Sequence, residues 1–225
     1  QGVSSAASDV YKRQLLRGEF AFALFDRSED CLYLVRDRFG IKPQYWAMTP
    51  EGLVFGSELK VLFAHPAVER RFTSEGLFHQ LMQTMVPGTT AFAGVHQVKP
   101  GHVLKVKRVN GHLEVSESTY WDVDFPRKDE RDPKRTEADH IAAVRAALLE
   151  AVELRMVADV PVGCYLSGGI DSCSILGLAS AVSQAPVKAF TIGFDDARYD
   201  ESPIAREMAE PTRQEAISYA VFCLK

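Results

Sequence analysis

The residues best suited to chemistry stand close together in "YLSGGIDSCS" (165–174): Leu166, Ser167, Gly168, Gly169, Ile170, Asp171 and Ser172. Two adjacent glycines let a chain turn tightly and let a ligand approach the backbone. A helix that starts directly after them presents unpaired N–H groups and a partial positive charge, which suits an anion such as phosphate. Successive amides in the turn add a concave anion nest, and the hydroxyls of Ser167 and Ser172 add donors. A carboxylate beside bound phosphate repels it unless a cation intervenes, so Asp171 points to Mg²⁺. No lysine follows the glycines, so this is not a Walker A loop. The plainer reading of the same residues is a strand-to-helix turn with a serine cap.

The elements around this turn must hold it in place. "VPVGCYL" (160–166) reads as a buried strand, "CSILGLASAVS" (173–183) as a helix and "VKAFTIGF" (187–194) as a second strand. Strand, helix and strand with short connections form a βαβ unit and predict a parallel sheet. Upstream, Ile141, Val144, Leu148, Val152 and Met156 form a helical stripe, with Thr136 placed to cap it. The first half is β-rich. "FAFALFD" (20–26) is apolar on both faces, as a strand covered on both sides would be, and pairs with "CLYLVRD" (31–37) across a four-residue loop. "QYWAM" and "LVFGS" flank "TPEG" (49–52) as a second hairpin, and "ELKVLFAH" (58–65) makes one or two helical turns. "TSEGLFHQLMQTMV" (73–86) predicts a helix capped by Thr73 or Ser74, striped with Leu77, Phe78, Leu81, Met82 and Met85 and stopped by Pro87-Gly88. Asn110-Gly111 is the preferred two-residue hairpin turn between the strands of 101–118.

Composition bounds the classes. The 225 residues carry a net charge of −4, so no basic field invites nucleic acid. No apolar stretch approaches the roughly 20 residues that span a bilayer. Cys31, Cys164, Cys173 and Cys223 form no C-x-x-C pair, which points to free thiols in a reducing compartment, with the cytoplasm as the default. The histidines are scattered and take no catalytic role, and Cys173 reads as a packing residue. The charged, proline-bearing stretch 122–140 reads as a solvated interdomain connector.

"SGGIDS" resembles the pyrophosphate-binding loop of ATP pyrophosphatases that adenylate their substrates. "ELRMVADVPVGCYLSGGIDSCSILGLAS" (153–180) and "AFTIGFDDARYDESPIAREMAE" (189–210) resemble the synthetase domain of glutamine-dependent asparagine synthetase. "LRGEFAFALFD", "RDRFGIKPQYW" and "FGSELKVLFAHP" resemble the later part of that family's glutaminase domain, and "VKPGHVLKV" and "YWDVDFP" its exit. The resemblance implies an α/β and α+β chain. It would hold the C-terminal part of an N-terminal-nucleophile glutaminase sandwich, then the start of a Rossmann-like parallel-sheet ATP pyrophosphatase domain. The expected division is a non-native tail over 1–14, a partial glutaminase domain over 15–121, a linker over 122–136, a partial adenylating domain over 137–210 and a second non-native tail over 211–225.

The implied reaction is synthesis of asparagine from aspartate, with ATP and Mg²⁺. A β-aspartyl-AMP intermediate forms with release of pyrophosphate, and ammonia from glutamine displaces AMP. By position, Leu166 and Ile192 would border the adenine nucleotide. Ser167, Gly168, Gly169, Ile170, Asp171 and Ser172 would hold the pyrophosphate, with Asp171 on the metal. Aspartate, glutamine and ATP are the implied small-molecule partners, with neither nucleic acid nor membrane, and the family's habit implies a homodimer at full length. Arg36, Asp37, Ser57 and Glu58 are candidates for an interface or substrate region; buried strand-end ion pairs are the plainer reading. The family's glutaminase uses a cysteine at the mature N-terminus, whereas this chain starts at Gln1 and first shows a cysteine at Cys31. No catalytic residue is therefore assigned, and the expectation is an internal fragment without glutaminase activity and with marginal folding. Two alternatives stand beside this reading: an amidotransferase acting on another carboxylate, and a non-catalytic nucleotide-binding module.

Overall fold

The computed structural model describes residues 16–84, 86–130, 134–209 and 221–223. The chain divides into two compact units, Gln1–Pro126 and Arg127–Lys225. The expected tail 1–14 lies outside the described residues, as does 211–225 apart from 221–223.

The first unit runs β1 (Ala21–Asp26), β2 (Cys31–Arg36), β3 (Tyr45–Thr49), β4 (Gly52–Gly56), α1 (Leu59–Leu62), α2 (Ser74–Leu81), β5 (Val95–Gln97), β6 (His102–Val109) and β7 (His112–Thr119). Two antiparallel sheets result, ordered β1-β2-β6-β7 and β4-β3-β5. Leu34, Val98, Leu104 and Val106 form a buried cluster against which Trp46 and Leu53 of the second sheet pack, so the sheets share a core. All three predicted hairpins form. Asn110 and Gly111 adopt φ of 50° and 83°, the positive values that a two-residue turn requires.

Two expectations change. β1 is not covered on both faces: Leu24 and Phe25 are 42% and 54% exposed, because β1 is the outer strand of its sheet. An apolar run records composition, and it does not tell a covered strand from an uncovered one. α2 is capped as expected, with Thr73 Oγ1 accepting the Gly76 amide at 3.0 Å. It stops at Leu81 rather than at Pro87, because Gln83 turns left-handed (φ 53°) and the Thr84 amide closes back on the His79 carbonyl. Leu77, Phe78, Leu81 and Met82 are exposed.

A polar knot is buried where β2 ends. The Arg36 guanidinium donates to the carbonyls of Lys42 (2.9 Å), Val98 (2.8 Å) and Gly40. Asp37, 1% exposed, accepts the amides of Phe39, Ile41 and Lys42 at 3.1, 3.0 and 2.9 Å. The two side chains thus bind opposite signs of the same loop's backbone and fix 38–42 as a rigid turn. Burial pushes Arg36 below its ordinary value, with the Asp37 charge opposing that shift.

Tyr120 completes the knot, its hydroxyl donating to the Arg36 carbonyl at 2.7 Å. Burial, aided by the Asp37 charge, pushes its phenol up to about 12. A raised folded value means that the neutral phenol stabilises the fold fully below the unfolded value near 10, and that this support fades as pH climbs from about 10 to about 12. Tyr120→Phe leaves the Arg36 carbonyl short of a donor and is expected to cost about 1–2 kcal/mol at neutral pH. Urea melts at pH 9 and pH 11 check both points: the wild type loses more stability between the two pH values than the Phe variant does.

The second unit runs α3 (Glu137–Arg155), β8 (Gly163–Tyr165), α4 (Ile170–Val182), β9 (Lys188–Gly193), α5 (Ser202–Ala209) and β10 (Val221–Cys223). The three strands pair in parallel in the order β10-β9-β8. α3 starts at the predicted Thr136, which forms a full capping box with Asp139. Val152, Leu166, Leu176, Ala179, Val187, Ala189, Ala205 and Ala209 form the core, with Met156, Cys164 and Cys173 packed against it. Of the predicted α3 stripe, only the C-terminal Val152 and Met156 reach this core; Ile141, Val144 and Leu148 are exposed. Nor is β8 the buried strand expected, since Tyr165 is 77% exposed and only Cys164 faces the core. Among the described residues, no helix is long and apolar enough to cross a membrane.

Candidate functional site

The predicted loop leaves β8 and enters α4 at one edge of the parallel sheet. The Leu166 amide extends the ladder by donating to the Phe190 carbonyl at 2.8 Å, and Thr191 Oγ1 donates to the Leu166 carbonyl at 2.8 Å. Leu166 is anchored in the core below, so the chain that follows departs from a fixed point. The β8–β9 pairing ends at Tyr165 with Phe190, so Ile192 lies past the end of β8, near the C-terminal end of β9, where it still pairs with Phe222 of β10. Ile192 is half-exposed and Ile170 is exposed, whereas Leu166 is buried.

Within the loop the two glycines do different work. Gly168 is left-handed (φ 85°), and a Cβ there would stand 2.8 Å from Ile204 Cγ2 of α5. Gly169 has an ordinary φ of −73°, and a Cβ there would meet only Ser167 Oγ at 3.4 Å. Backbone geometry therefore demands glycine at 168, and openness to approach belongs to 169. The hydroxyls cross-link the turn: Ser167 and Ser172 Oγ lie 3.1 Å apart, Ser172 donates to the Gly169 carbonyl at 3.0 Å, and the Ser167 amide donates to Ser172 Oγ at 3.3 Å.

The start of α4 is distinctive. Thr73 caps α2, Thr136 and Asp139 cap α3, and Asp200 accepts the amide and hydroxyl of Ser202, the first residue of α5, at 3.2 and 2.6 Å. No side chain caps α4, which has Gly169 at its N-cap and Asp171 in its first turn. Helix geometry leaves the N–H groups of Ile170, Asp171 and Ser172 without an intrahelical acceptor, and the first bond is Cys173 to the Gly169 carbonyl at 3.0 Å. The Asp200 carboxylate answers the first turn of α5. Its bonds to the Ser202 hydroxyl and amide hold the Asp200 carboxyl below its usual range.

The residues fit a phosphate with its metal rather than a metal alone. Among the described residues, no three His, Cys, Asp or Glu side chains gather to hold an ion. One exposed carboxylate, Asp171, suits Mg²⁺, which is commonly held by one or two carboxylates together with substrate phosphates and water. Cys164 lies beneath, its thiol pushed up by burial, and among the described cysteines Cys31, Cys164 and Cys173 are free.

Ser167 to Ser172, expected to form one turn, lie in the loop between β8 and α4, and Thr191, Asp200 and Ile204, which the sequence did not single out, surround it. Asp200 had a readable signal, an acid two residues before a helical serine; the other two had none. Arg36 and Asp37 are tied into the first unit's backbone, as described above. Ser57 and Glu58 open the turn into α1, where Glu58 makes an exposed ion pair with Lys60 at 2.6 Å.

Fold and loop together define an α/β protein in which two antiparallel sheets precede a parallel βαβ unit with an uncapped glycine turn. The glutamine amidotransferase domain model matches residues 8–121, and the asparagine synthase model matches residues 143–221. The chain belongs to the glutamine-dependent asparagine synthetase family. It is 38% identical to Amidase chyE of Penicillium rubens over 208 residues, which cover 86% of this chain and 30% of that protein. It is 34% identical to asparagine synthetase 1 (glutamine-hydrolyzing) of Bacillus subtilis over 209 residues, or 92% of this chain and 31% of that protein. Asparagine synthetase 3 of the same organism is 32% identical over 189 residues, covering 80% and 29%. The chain thus spans about 30% of the length of the curated relatives it matches.

Proposed function

We propose that this chain carries the ATP-binding turn of an enzyme that adenylates a carboxylate and amidates it with nitrogen from glutamine. One observation carries the reading: α4 opens directly after Ser167-Gly168-Gly169 with no side-chain cap, while the other helices of eight residues or more have their first turns answered by side chains. The N–H groups of Ile170, Asp171 and Ser172 are free for a pyrophosphate anion, the hydroxyls of Ser167 and Ser172 would turn from their bonds within the loop to donate to it, and Leu166 and Ile192 border the nucleotide. Asp171 would share Mg²⁺ with the phosphates; bound there, the ion neutralises the charge that grows as pyrophosphate leaves. The same preorganised amides favour that departure, because they meet developing charge without reorganising. The second unit is read as the start of a Rossmann-like domain and the first as part of an N-terminal-nucleophile glutaminase. The linker is placed at 122–136, and the full-length protein is read as a cytoplasmic dimer.

Aspartate is the proposed acceptor, through a β-aspartyl-AMP intermediate, on the strength of the relatives named asparagine synthetases. Similarity to a protein named as an amidase favours a second reading, the same chemistry on a different carboxylate. Assay of ATP–pyrophosphate exchange by the full-length protein, with aspartate against a panel of other carboxylic acids, separates the two. Exchange that depends on aspartate supports the first. Exchange with another acid alone overturns it in favour of the second.

A further inference from the structure

We propose that Ile204 is a positioning residue for the pyrophosphate turn, acting through Gly168. This rests on the phosphate-binding reading of the 167–172 loop. Three walls fix that loop. The Leu166 carbonyl is clamped by the Thr191 hydroxyl, the Gly169 carbonyl takes the first hydrogen bond of α4, and Gly168 lies against α5. At the third wall, a Cβ on Gly168 would meet Ile204 Cγ2 at 2.8 Å, Ile204 Cβ at 3.1 Å and the Ala205 amide nitrogen at 3.6 Å. Gly168 is also the one loop residue with a positive φ, and glycine alone has no steric restoring force of its own toward such a value. The space where a Cβ would stand at 168 is filled by Ile204, which closes that side of the turn.

Ile204 is itself held. Asp200 accepts the Ser202 amide and hydroxyl, and the Phe194 amide at 3.4 Å, which ties the exit of β9 to the first turn of α5. Ala205 and Ala209 seat the same helix in the core. Ile204 remains about half-exposed, so it contributes little to that core. A branched apolar side chain that keeps half its surface in solvent while filling the space beside a left-handed glycine is better placed to orient the amides of the turn than to stabilise the unit. Truncating it frees Gly168 to sample other φ values, and the ordering lost must then be supplied on binding.

The test compares wild type, Ile204→Ala, Ile204→Val, Gly168→Ala and the double variant Gly168→Ala with Ile204→Ala, each in this full chain. Titration calorimetry with Mg²⁺ and pyrophosphate reads affinity, and urea melts read stability. Ile204→Ala is expected to weaken pyrophosphate about tenfold with little change in urea midpoint, and Ile204→Val to restore most of the affinity. In the melts, the double variant is expected to lose less than the two single losses combined, because removing Cγ2 relieves the 2.8 Å contact. Wild-type affinity in Ile204→Ala, with wild type itself binding, overturns the positioning role and leaves the phosphate reading standing. No binding by wild type overturns the phosphate reading and this proposal with it. Strictly additive melts would overturn the claim that Ile204 acts through Gly168, independently of any ligand.

Discussion

Replacing Asp171 by alanine in the full-length enzyme is expected to lower acceptor-dependent ATP–pyrophosphate exchange by about 10²–10³-fold, the range seen when one preorganised electrostatic contact to a transition state is removed. Asp171 is exposed in the first turn of α4, and no side chain in the described structure accepts from that turn's amides. Its carboxylate is favourable to the helix N-terminus, yet repulsive to a phosphate bound there unless Mg²⁺ lies between them. Alanine removes that anchor without disturbing the glycine turn, whose cross-links run through Ser167, Gly169 and Ser172. Glutaminase turnover is expected to hold, because the proposed function assigns that chemistry to a domain other than the one that carries this turn. Folding should also hold, since Asp171 packs in no core. Exchange within a factor of a few of wild type would remove the metal role assigned to Asp171.

The largest expected loss of stability comes from Asp37→Ala. The Asp37 carboxylate takes three backbone amides inside the first unit, beside a guanidinium that takes three carbonyls. Removing it strands the amides of Phe39, Ile41 and Lys42 and leaves Arg36 buried without its neighbouring negative charge. Deleting one partner of such a buried charged set costs about 3–5 kcal/mol, a large share of the 5–15 kcal/mol typical of a whole domain. Asp37→Asn keeps the shape and one acceptor oxygen, so its loss should be smaller. Urea melts followed by circular dichroism read both. A midpoint for Asp37→Ala close to wild type would show that the 38–42 loop does not depend on this carboxylate.

Local chemistry made much of the fold legible. Asn110-Gly111 announced its hairpin because that pair is among the few that readily accept two positive φ values, and Thr136 announced α3 because Asp139 stands at the capping-box position. The glycine turn between β8 and α4 was legible as a turn for the same reason: its parts are adjacent in the chain. Periodicity was less informative about cover. It placed Val152 and Met156 of α3 against a core, but a stripe does not say what lies opposite, and Leu77, Phe78, Ile141 and Val144 prove exposed. Arg36 and Asp37 looked like candidates for an interface or an ion pair because their partners are backbone groups, which carry no sequence signal. Ile204 was illegible for a related reason. Its importance arises from a close approach to Gly168 across the fold, and an isoleucine in a helical pattern reads the same with or without such a neighbour.

The central claim, that the turn after β8 binds pyrophosphate through its backbone, is tested most directly by titrating Mg²⁺ and pyrophosphate into the ¹⁵N-labelled chain and following amide resonances. The account predicts the largest shifts at Ser167, Gly168, Gly169, Ile170, Asp171 and Ser172, saturating together and lost in Gly168→Val. Shifts centred elsewhere, or none in that turn at saturating ligand, would contradict it.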